Sequence, residues 1–151
     1  MKLVVQRVNS AAIHAGGDWV ARIGNGALVF VGAARGDTLE DSRYLARKTA
    51  QLRIFDDEVG RLNMPIDREE GSFLVVSQFT LYGDCSKGNR PSYMEAADPE
   101  EGRVLYDEYI RSLQSLGYEV HTGRFQEHMH VELENDGPIT LILESRGRTK
   151  T

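Results

Sequence analysis

The feature that most constrains the fold is a short turn sequence, Asn135-Asp136-Gly137-Pro138, between two runs with strand character. Upstream, apolar and polar residues alternate from 129 to 134, and downstream residues 139 to 143 are nearly all apolar. Asn, Asp and Gly tolerate positive φ, and Pro suits the first position of a strand because it cannot donate a ladder hydrogen bond. The stretch therefore predicts a hairpin between two strands. A second interpretation is that Gly137-Pro138 is a rigid element aimed at a ligand.

Two other segments carry helix patterns. Asp37-Thr38-Leu39-Glu40 has the form of a capping box with Asp37 as the N-cap, and the helix that follows should end near Arg53. Asp98-Pro99-Glu100-Glu101 starts a second helix, because Asp is a common cap and Pro suits the first helical position. Gly117 closes that helix. The sequence therefore predicts two main helices.

Short runs rich in Val, Leu and Ile make up most of the remaining chain. Gly16-Gly17 and Asn25-Gly26 separate the first runs and predict an antiparallel meander. Residues 72 to 76 have the composition of a buried strand, which leads directly into the polar cluster Ser77-Gln78-Phe79-Thr80. We find no internal repeat and no linker. We therefore expect one α+β domain over residues 1–151, with antiparallel sheet packed against two helices.

Composition excludes several classes of protein. With 40% apolar and 27% charged residues among 151, the chain suits one globular domain with a real core. No apolar run approaches the roughly 20 residues of a membrane helix. A single cysteine, Cys85, allows no intrachain disulfide, which fits a cytoplasmic protein. The net charge of −5 argues against broad nucleic-acid binding, so we expect no DNA partner, although a local patch could hold one RNA end.

Three histidines are the first candidates for chemistry. His128 and His130 would share a face of a strand, and with His121 they could offer three nitrogen ligands to zinc. However, Glu132 and Glu134 continue the same face, which is the pattern of a strand with one solvated side. We therefore expect neither a metal nor a cofactor.

Hydroxyl nucleophiles are the second candidates. Ser77 and Thr80 follow a core strand, which would hold them rigidly, but neither lies in a Gly-x-Ser-x-Gly elbow. A Ser–His–Asp triad is recognised by a geometry that the sequence does not contain. Taken alone, both residues are more typical of hydrogen-bonded strand ends than of nucleophiles.

Two motifs considered together point to one family. Ser77-Gln78-Phe79-Thr80-Leu81 and Asn135-Asp136-Gly137-Pro138-Ile139-Thr140 match the Ser-Gln-Phe-Thr-Leu and Asn-x-Gly-Pro-x-Thr motifs of the D-aminoacyl-tRNA deacylases, in that order. The chain resembles this family over essentially its whole length, including Val4-Val5-Gln6-Arg7-Val8 and Lys87-Gly88-Asn89-Arg90-Pro91-Ser92. The resemblance implies the fold of that family, a barrel-like arrangement of antiparallel sheet with two main helices.

The resemblance also implies a reaction and a site. The substrate would be the aminoacylated 3′ end of tRNA, and the reaction would hydrolyse the ester of a D-amino acid, or of glycine mischarged on alanine tRNA. Ser77-Gln78-Phe79-Thr80 would line the pocket for the terminal adenosine. Gly137-Pro138, joined by a cis bond, would enter the pocket of the other subunit in a homodimer and exclude L-residues sterically. Arg7 would brace this loop by bonding its carbonyls.

The roles within the pocket follow from the chemistry of an activated ester. Phe79 offers a flat apolar surface to an adenine or an amino acid side chain. Thr80 is the hydroxyl placed to position a water, and covalent catalysis through it is the less favoured route. The alternative from another class is a non-catalytic module that binds an RNA 3′ end or a nucleotide in the same pocket. Turnover of D-tyrosyl-tRNA separates the two hypotheses.

Overall fold

The computed structural model describes residues 1–146, which contain two α-helices, a six-stranded sheet and a separate two-stranded hairpin. The basic segment that follows Arg146 lies outside the described residues. The strands are β1 (Lys2–Ala15), β2 (Asp18–Ile23), β3 (Gly26–Gly32), β4 (Phe55–Asp56), β5 (Leu62–Met64), β6 (Ser72–Ser77), β7 (Glu119–Thr122) and β8 (His130–Glu144). The helices are α1 (Leu39–Gln51) and α2 (Pro99–Ser115).

Strand β1 organises the sheet because it pairs antiparallel with three other strands. Its second half pairs with β2 and its first half with β3, so β2 and β3 follow one another along one side of it. The hairpin predicted at Gly16-Gly17 is present between β1 and β2. The hairpin predicted at Asn25-Gly26 is wrong, because β2 and β3 are not neighbours in the sheet.

The hairpin predicted at Asn135–Pro138 is also wrong. Residues 130 to 144 form one strand, β8, whose two halves both pair antiparallel with β1. The register runs from Val8 opposite Asn135 to Gln6 opposite Thr140, so residues 136 to 139 bulge outward opposite Arg7. Turn-forming residues here produce a bulge rather than a reversal, because β1 holds the chain on either side of them.

The predicted α+β class with two main helices is confirmed, but the sheet is mixed rather than entirely antiparallel as predicted. β3 pairs parallel with β6, and β6 pairs parallel with β7. β2 approaches β6 and β7, so the sheet curls toward a barrel. The larger buried cluster lies between the sheet and the two helices and includes Leu3, Leu45, Phe73 and Tyr109. Within residues 1–146, no helix is long and apolar enough to cross a membrane.

The helix boundaries agree closely with the sequence patterns, with one shift. α2 begins at Pro99 after Asp98, and Gly117 takes a φ of +94° just beyond its end, as predicted. The N-cap of α1 is Thr38, not Asp37, and its capping-box partner is Asp41, whose carboxylate accepts the Thr38 N–H at 2.8 Å. Asp37 is instead buried beneath the N-terminal ammonium of Met1, at 2.8 Å, because that charge needs a partner away from water.

Substitution of Asp41 by asparagine tests the cap. Burial acts to raise the pKa of Asp41, but hydrogen bonds from the Thr38 N–H and from the Ser145 and Thr38 hydroxyls outweigh it and lower that pKa. Because the pKa of Asp41 is lower in the folded state than in the unfolded chain, its ionised carboxylate stabilises the fold above pH about 4. That stabilisation is lost as the pH falls through the folded-state pKa. We expect Asp41→Asn to lower the free energy of unfolding by about 1 kcal/mol at pH 7. Urea denaturation should show the difference narrowing toward pH 3, and a constant difference would contradict this assignment.

Candidate active site

The candidate site begins where strand β6 ends. Ser77 is the last residue of β6, and Phe79–Tyr82 form a single turn of 3₁₀ helix directly after it. Between them the Gln78 N–H donates to the Val31 carbonyl at 2.8 Å, which fastens the turn to β3. Because β6 is paired on both sides, in parallel with β3 and with β7, this polar turn has a rigid base.

A cavity of about 640 Å³ opens beside this turn. That volume is in the range of small-molecule pockets, which run from roughly 300 to 1,000 Å³. The cavity is bounded by the ends of β3 and β6, the first turns of α2 and two loops. Its lining side chains and backbone belong to Val31, Ala33, Arg35, Val76, Ser77, Gln78, Phe79, Tyr93, Ala96, Ala97, Asp98, Pro99, Gly102, Tyr106, Phe125, Gln126, Glu127, His128, Met129 and Val131.

Aromatic rings give the cavity its flat apolar surfaces. Phe79 is 56% exposed and meets the ring of Tyr93 edge to face, with centroids 5.1 Å apart. Tyr106 is buried, donates its hydroxyl to the Val75 carbonyl at 2.8 Å, and lies beside Phe125. Burial raises the pKa of the Tyr106 hydroxyl, so this residue is a neutral structural donor rather than an acid or base near pH 7. An exposed phenyl ring at a cavity mouth is suited to stacking on a planar ligand.

The four residues of the predicted polar cluster do not all reach the cavity. Ser77, Gln78 and Phe79 line it, whereas Thr80 is exposed and lies outside its lining. The Thr80 hydroxyl contacts the side-chain amide of Gln78. Thr80 therefore contacts the cavity lining of its own chain at Gln78.

Gly137 and Pro138 lie at the exposed tip of the β8 bulge, and the peptide bond between them is cis. Neither residue lines the cavity of its own chain. Asn135 holds the base of the bulge, because its side-chain amide donates to the carbonyls of Arg7 and Ile139 at 2.9 and 3.0 Å. These bonds explain why an Asn lies two residues before the Gly-Pro pair.

Arg7 supports the bulge, but not in the predicted way. The sequence predicted bonds from Arg7 to loop carbonyls, whereas its Nε atom lies 3.1 Å from the Asp136 carboxylate. The Nε–H is not directed at that oxygen, so the contact is an ion pair without a hydrogen bond. The Nη1 atom donates to the Ile54 carbonyl at 2.9 Å. Arg7 is only 8% exposed, so its charge is anchored between the bulge and the chain before β4.

The three histidines do not come together. His121 contacts Glu119 on β7 at 2.5 Å, while His128 lies in the cavity wall before β8 begins at His130. Over the described range 1–146, no group of three or more His, Cys, Asp or Glu side chains is arranged to hold a metal ion. His128 and His130 contact each other edge to face, with ring centroids 5.0 Å apart.

Sequence reasoning missed the two loops that form the far wall of the cavity. Arg35 and Asp98 pair at 3.2 Å across its edge, and both are exposed. Gln126, in the other loop, takes a φ of +63°, which is uncommon for a residue other than glycine and marks a constrained turn at the cavity. No local pattern identifies these residues, because they converge only after α2 packs on the sheet.

Comparisons with known proteins agree on one family. The family model for D-Tyr-tRNA(Tyr) deacylase matches residues 4–144. A D-aminoacyl-tRNA deacylase of Desulforamulus reducens is 51% identical, over 97% of this chain and 98% of that protein. One from Geobacter sulfurreducens is 47% identical, over 100% of this chain and 99% of that protein.

A solved structure gives the same answer for the fold. The protein described as c-Myc DNA unwinding element binding protein matches with a TM-score of 0.90 at 35% identity, covering 95% of this chain and 98% of that one. The predicted barrel-like fold is thus confirmed. The chain belongs to the D-aminoacyl-tRNA deacylase family, enzymes that hydrolyse the ester bond of an aminoacyl-tRNA.

Proposed function

We propose that this protein hydrolyses the ester between a D-amino acid and the 3′-terminal ribose of tRNA, and that it also accepts glycyl-tRNA. The observation that carries the proposal is the cavity at the end of β6, with Ser77, Gln78 and Phe79 in its wall. Its volume of about 640 Å³ suits an aminoacyl adenosine. Phe79 would stack on the adenine or the amino acid side chain, and the polar atoms of Ser77 and Gln78 would hold the ribose and the ester.

The protein needs to lower the activation barrier only modestly, because an aminoacyl ester is already activated. Backbone N–H groups aimed at the developing oxyanion would each contribute about 3 kcal/mol to the rate. The Phe79 and Thr80 N–H groups would take this role, because they begin the 3₁₀ turn and no carbonyl of that turn precedes them. The Leu81 N–H, by contrast, already donates to the Gln78 carbonyl. Thr80 acts through the Gln78 amide, which its hydroxyl contacts, to hold the attacking water in line with the ester.

We further propose that Gly137 and Pro138 complete the cavity of a partner subunit. In its own chain this pair is exposed and outside the cavity, and the bulge that carries it is anchored by Asn135 and Arg7. A backbone tip cannot swing aside as a side chain can, so it would exclude an L side chain by steric clash. Glycine has no side chain to exclude. Without a Cβ, Gly137 can approach a ligand closely, and its φ of +120° is one that other residues rarely adopt.

A turnover panel tests the reaction and its selectivity. We expect the enzyme to deacylate D-tyrosyl-tRNA and glycyl-tRNA and to spare L-tyrosyl-tRNA, relative to a control without enzyme. Tight binding of D-tyrosyl-tRNA without turnover would favour the binding module instead. Equal turnover of the D- and L-esters would refute steric exclusion while leaving the hydrolase intact.

The cross-subunit site predicts that activity depends on a homodimer. We expect light scattering to give twice the chain mass of 16.9 kDa at concentrations where the enzyme is active. On dilution, specific activity should fall together with the dimer fraction, because each cavity would lose its Gly137-Pro138 lid. A monomer with full activity would contradict the cross-subunit model.

The proposed substrate and the net charge lead to two further expectations, on the cellular compartment and on DNA binding. Aminoacyl-tRNA is made in the cytoplasm, so we propose that the enzyme acts there. The net charge of −5 gives no general basic surface for duplex DNA, so we propose that duplex DNA is not a partner, although a protein of similar structure is described as a DNA unwinding element binding protein. Gel-shift titration with duplex DNA at physiological salt measures this directly.

A further inference from the structure

A second cleft, on the side of the molecule away from the cavity, is lined by three arginines. Arg47, Arg53 and Arg68 surround a space of about 420 Å³, which we call the arginine cleft. Its other lining residues are Ala50, Gln51, Asn63, Pro65 and Leu116. No carboxylate lines this space, although the chain as a whole carries a net charge of −5.

Two of the three guanidinium groups are held in place by neutral partners. The Arg53 Nε donates to the Asn63 carbonyl at 2.9 Å, and the Arg68 Nε donates to the Leu116 carbonyl at 2.8 Å. The Arg68 guanidinium also lies over the Tyr118 ring, 4.9 Å from its centroid. Within residues 1–146, neither Arg53 nor Arg68 forms an ion pair with a carboxylate oxygen within 4.0 Å, although backbone hydrogen bonds, and then attraction to the charge of Arg68, lower the pKa of the Asp67 carboxylate.

Two acids near the cleft, Glu40 and Asp67, have other partners as well. Arg47 pairs with Glu40 at 2.9 Å, but both groups are exposed, so the pair is weak. Asp67, next to Arg68 in the chain, accepts the N–H groups of Glu69 and Glu70 at 2.8 and 2.9 Å. Fixed guanidinium groups with unused N–H donors are suited to phosphate, which they bind through two parallel hydrogen bonds.

The arginine cleft adjoins the base of the Gly137-Pro138 bulge. Arg53 precedes Ile54, whose carbonyl is bonded to Arg7 under the bulge. Pro65 and Arg68 line the cleft, while Ile66 and Asp67, between them in the chain, line the crevice that holds Arg7 and Asp136. The cleft and the bulge therefore lie at the same end of the molecule, the end opposite the chain's own cavity.

We propose that the arginine cleft binds backbone phosphates of the tRNA acceptor strand while the terminal adenosine occupies the cavity of the partner subunit. This inference rests on the proposed function, because only the cross-subunit arrangement brings this end of one subunit to the mouth of the other's cavity. The strand that leaves that mouth then passes the cleft. One subunit thus binds the terminal adenosine of a tRNA in its cavity. The other subunit supplies the Gly137-Pro138 wall of that site and the phosphate contacts to the same tRNA.

The test compares two substrates that differ in phosphates. D-tyrosyl-tRNA carries the acceptor strand, whereas 2′(3′)-O-D-tyrosyl adenosine has no phosphate upstream of the ester. We expect Arg53→Gln and Arg68→Gln each to raise KM for the tRNA roughly tenfold or more, as for a lost charge-assisted hydrogen bond. Turnover at saturation and hydrolysis of the adenosine ester should not change. Arg111→Gln, an exposed arginine on α2 with the same loss of charge, is the matched control.

Direct binding separates this inference from the reaction itself. A tRNA acceptor minihelix without an attached amino acid is titrated at several salt concentrations. In each cleft variant, the negative slope of log affinity against log salt concentration should become smaller in magnitude by about one. An unchanged slope and KM, or an equal loss in Arg111→Gln, would overturn the proposal. Binding of inorganic phosphate without any effect on the minihelix would overturn it too. If the wild-type enzyme hydrolyses neither ester, the proposed function fails, and the minihelix slopes still decide whether the cleft binds phosphates.

Discussion

Replacing Gly26 by alanine is expected to lower the free energy of unfolding by about 3 kcal/mol or more, which lowers Tm by roughly 6 to 12 °C. Gly26 is buried at the start of β3, opposite Ser72 of the parallel strand β6. A Cβ added there would lie 1.8 Å from the Ser72 carbonyl oxygen, and its φ of +156° adds to the cost. Because that oxygen is backbone, the two strands would have to separate.

Gly24→Ala is the matched control for this substitution. It lies two residues away, is exposed, and has no atom within 4 Å of the position that a Cβ would take. We expect its unfolding free energy to stay close to that of the wild type. Thermal and urea unfolding of both variants measure the difference, and a Gly26→Ala protein as stable as Gly24→Ala would show that the β3–β6 spacing is adaptable.

The second large effect is expected in catalysis. Thr80→Val keeps the shape of the side chain and removes its hydroxyl, so we expect kcat for D-tyrosyl-tRNA to fall on the order of 100-fold, as for a lost positioning or proton-transfer contact. Because Thr80 is exposed and outside the core, the free energy of unfolding should stay nearly unchanged. The measurement is single-turnover deacylation beside a thermal melt.

Two comparisons define what Thr80 does. Thr80→Ser keeps the hydroxyl and should retain most of the rate. Gln78→Ala should lose rate to a similar extent, because the Thr80 hydroxyl acts through the Gln78 amide. If Thr80→Val is as fast as the wild type, backbone groups and the substrate's own hydroxyl carry the reaction, and Thr80 is only structural.

Elements with strong local patterns were predictable from the sequence. α2 begins at Pro99 because Asp98 and Pro99 are adjacent there, and β6 runs into Ser77 because four apolar residues, 73 to 76, end at a polar cluster. Local chemistry was less reliable for α1, where both Asp37 and Thr38 are good caps. Thr38 is the N-cap because the Asp37 carboxylate forms an ion pair with the N-terminal ammonium of Met1 instead.

Features that depend on distant partners were not predictable. The bulge at residues 136–139 has the composition of a hairpin turn, and only the pairing of both its flanks with β1 keeps the chain running on. The parallel alignment of β3 with β6 joins segments whose register no local pattern specifies. The cavity wall at Tyr93 and Gln126 depends on the packing of two loops that follow different elements.

The pairing of β8 with β1 has a consequence for how the chain folds during synthesis. β8 covers one whole side of β1, and the partners in this ladder, such as Lys2 and Glu144, lie at opposite ends of the described chain. Until β8 leaves the ribosome, that side of β1 is an unpaired edge of Val-rich sequence, which favours aggregation. Contacts of such high sequence separation also slow folding. The enzyme therefore completes this sheet only after β8 has been synthesised, and the nascent chain should depend on chaperones to protect β1 until then.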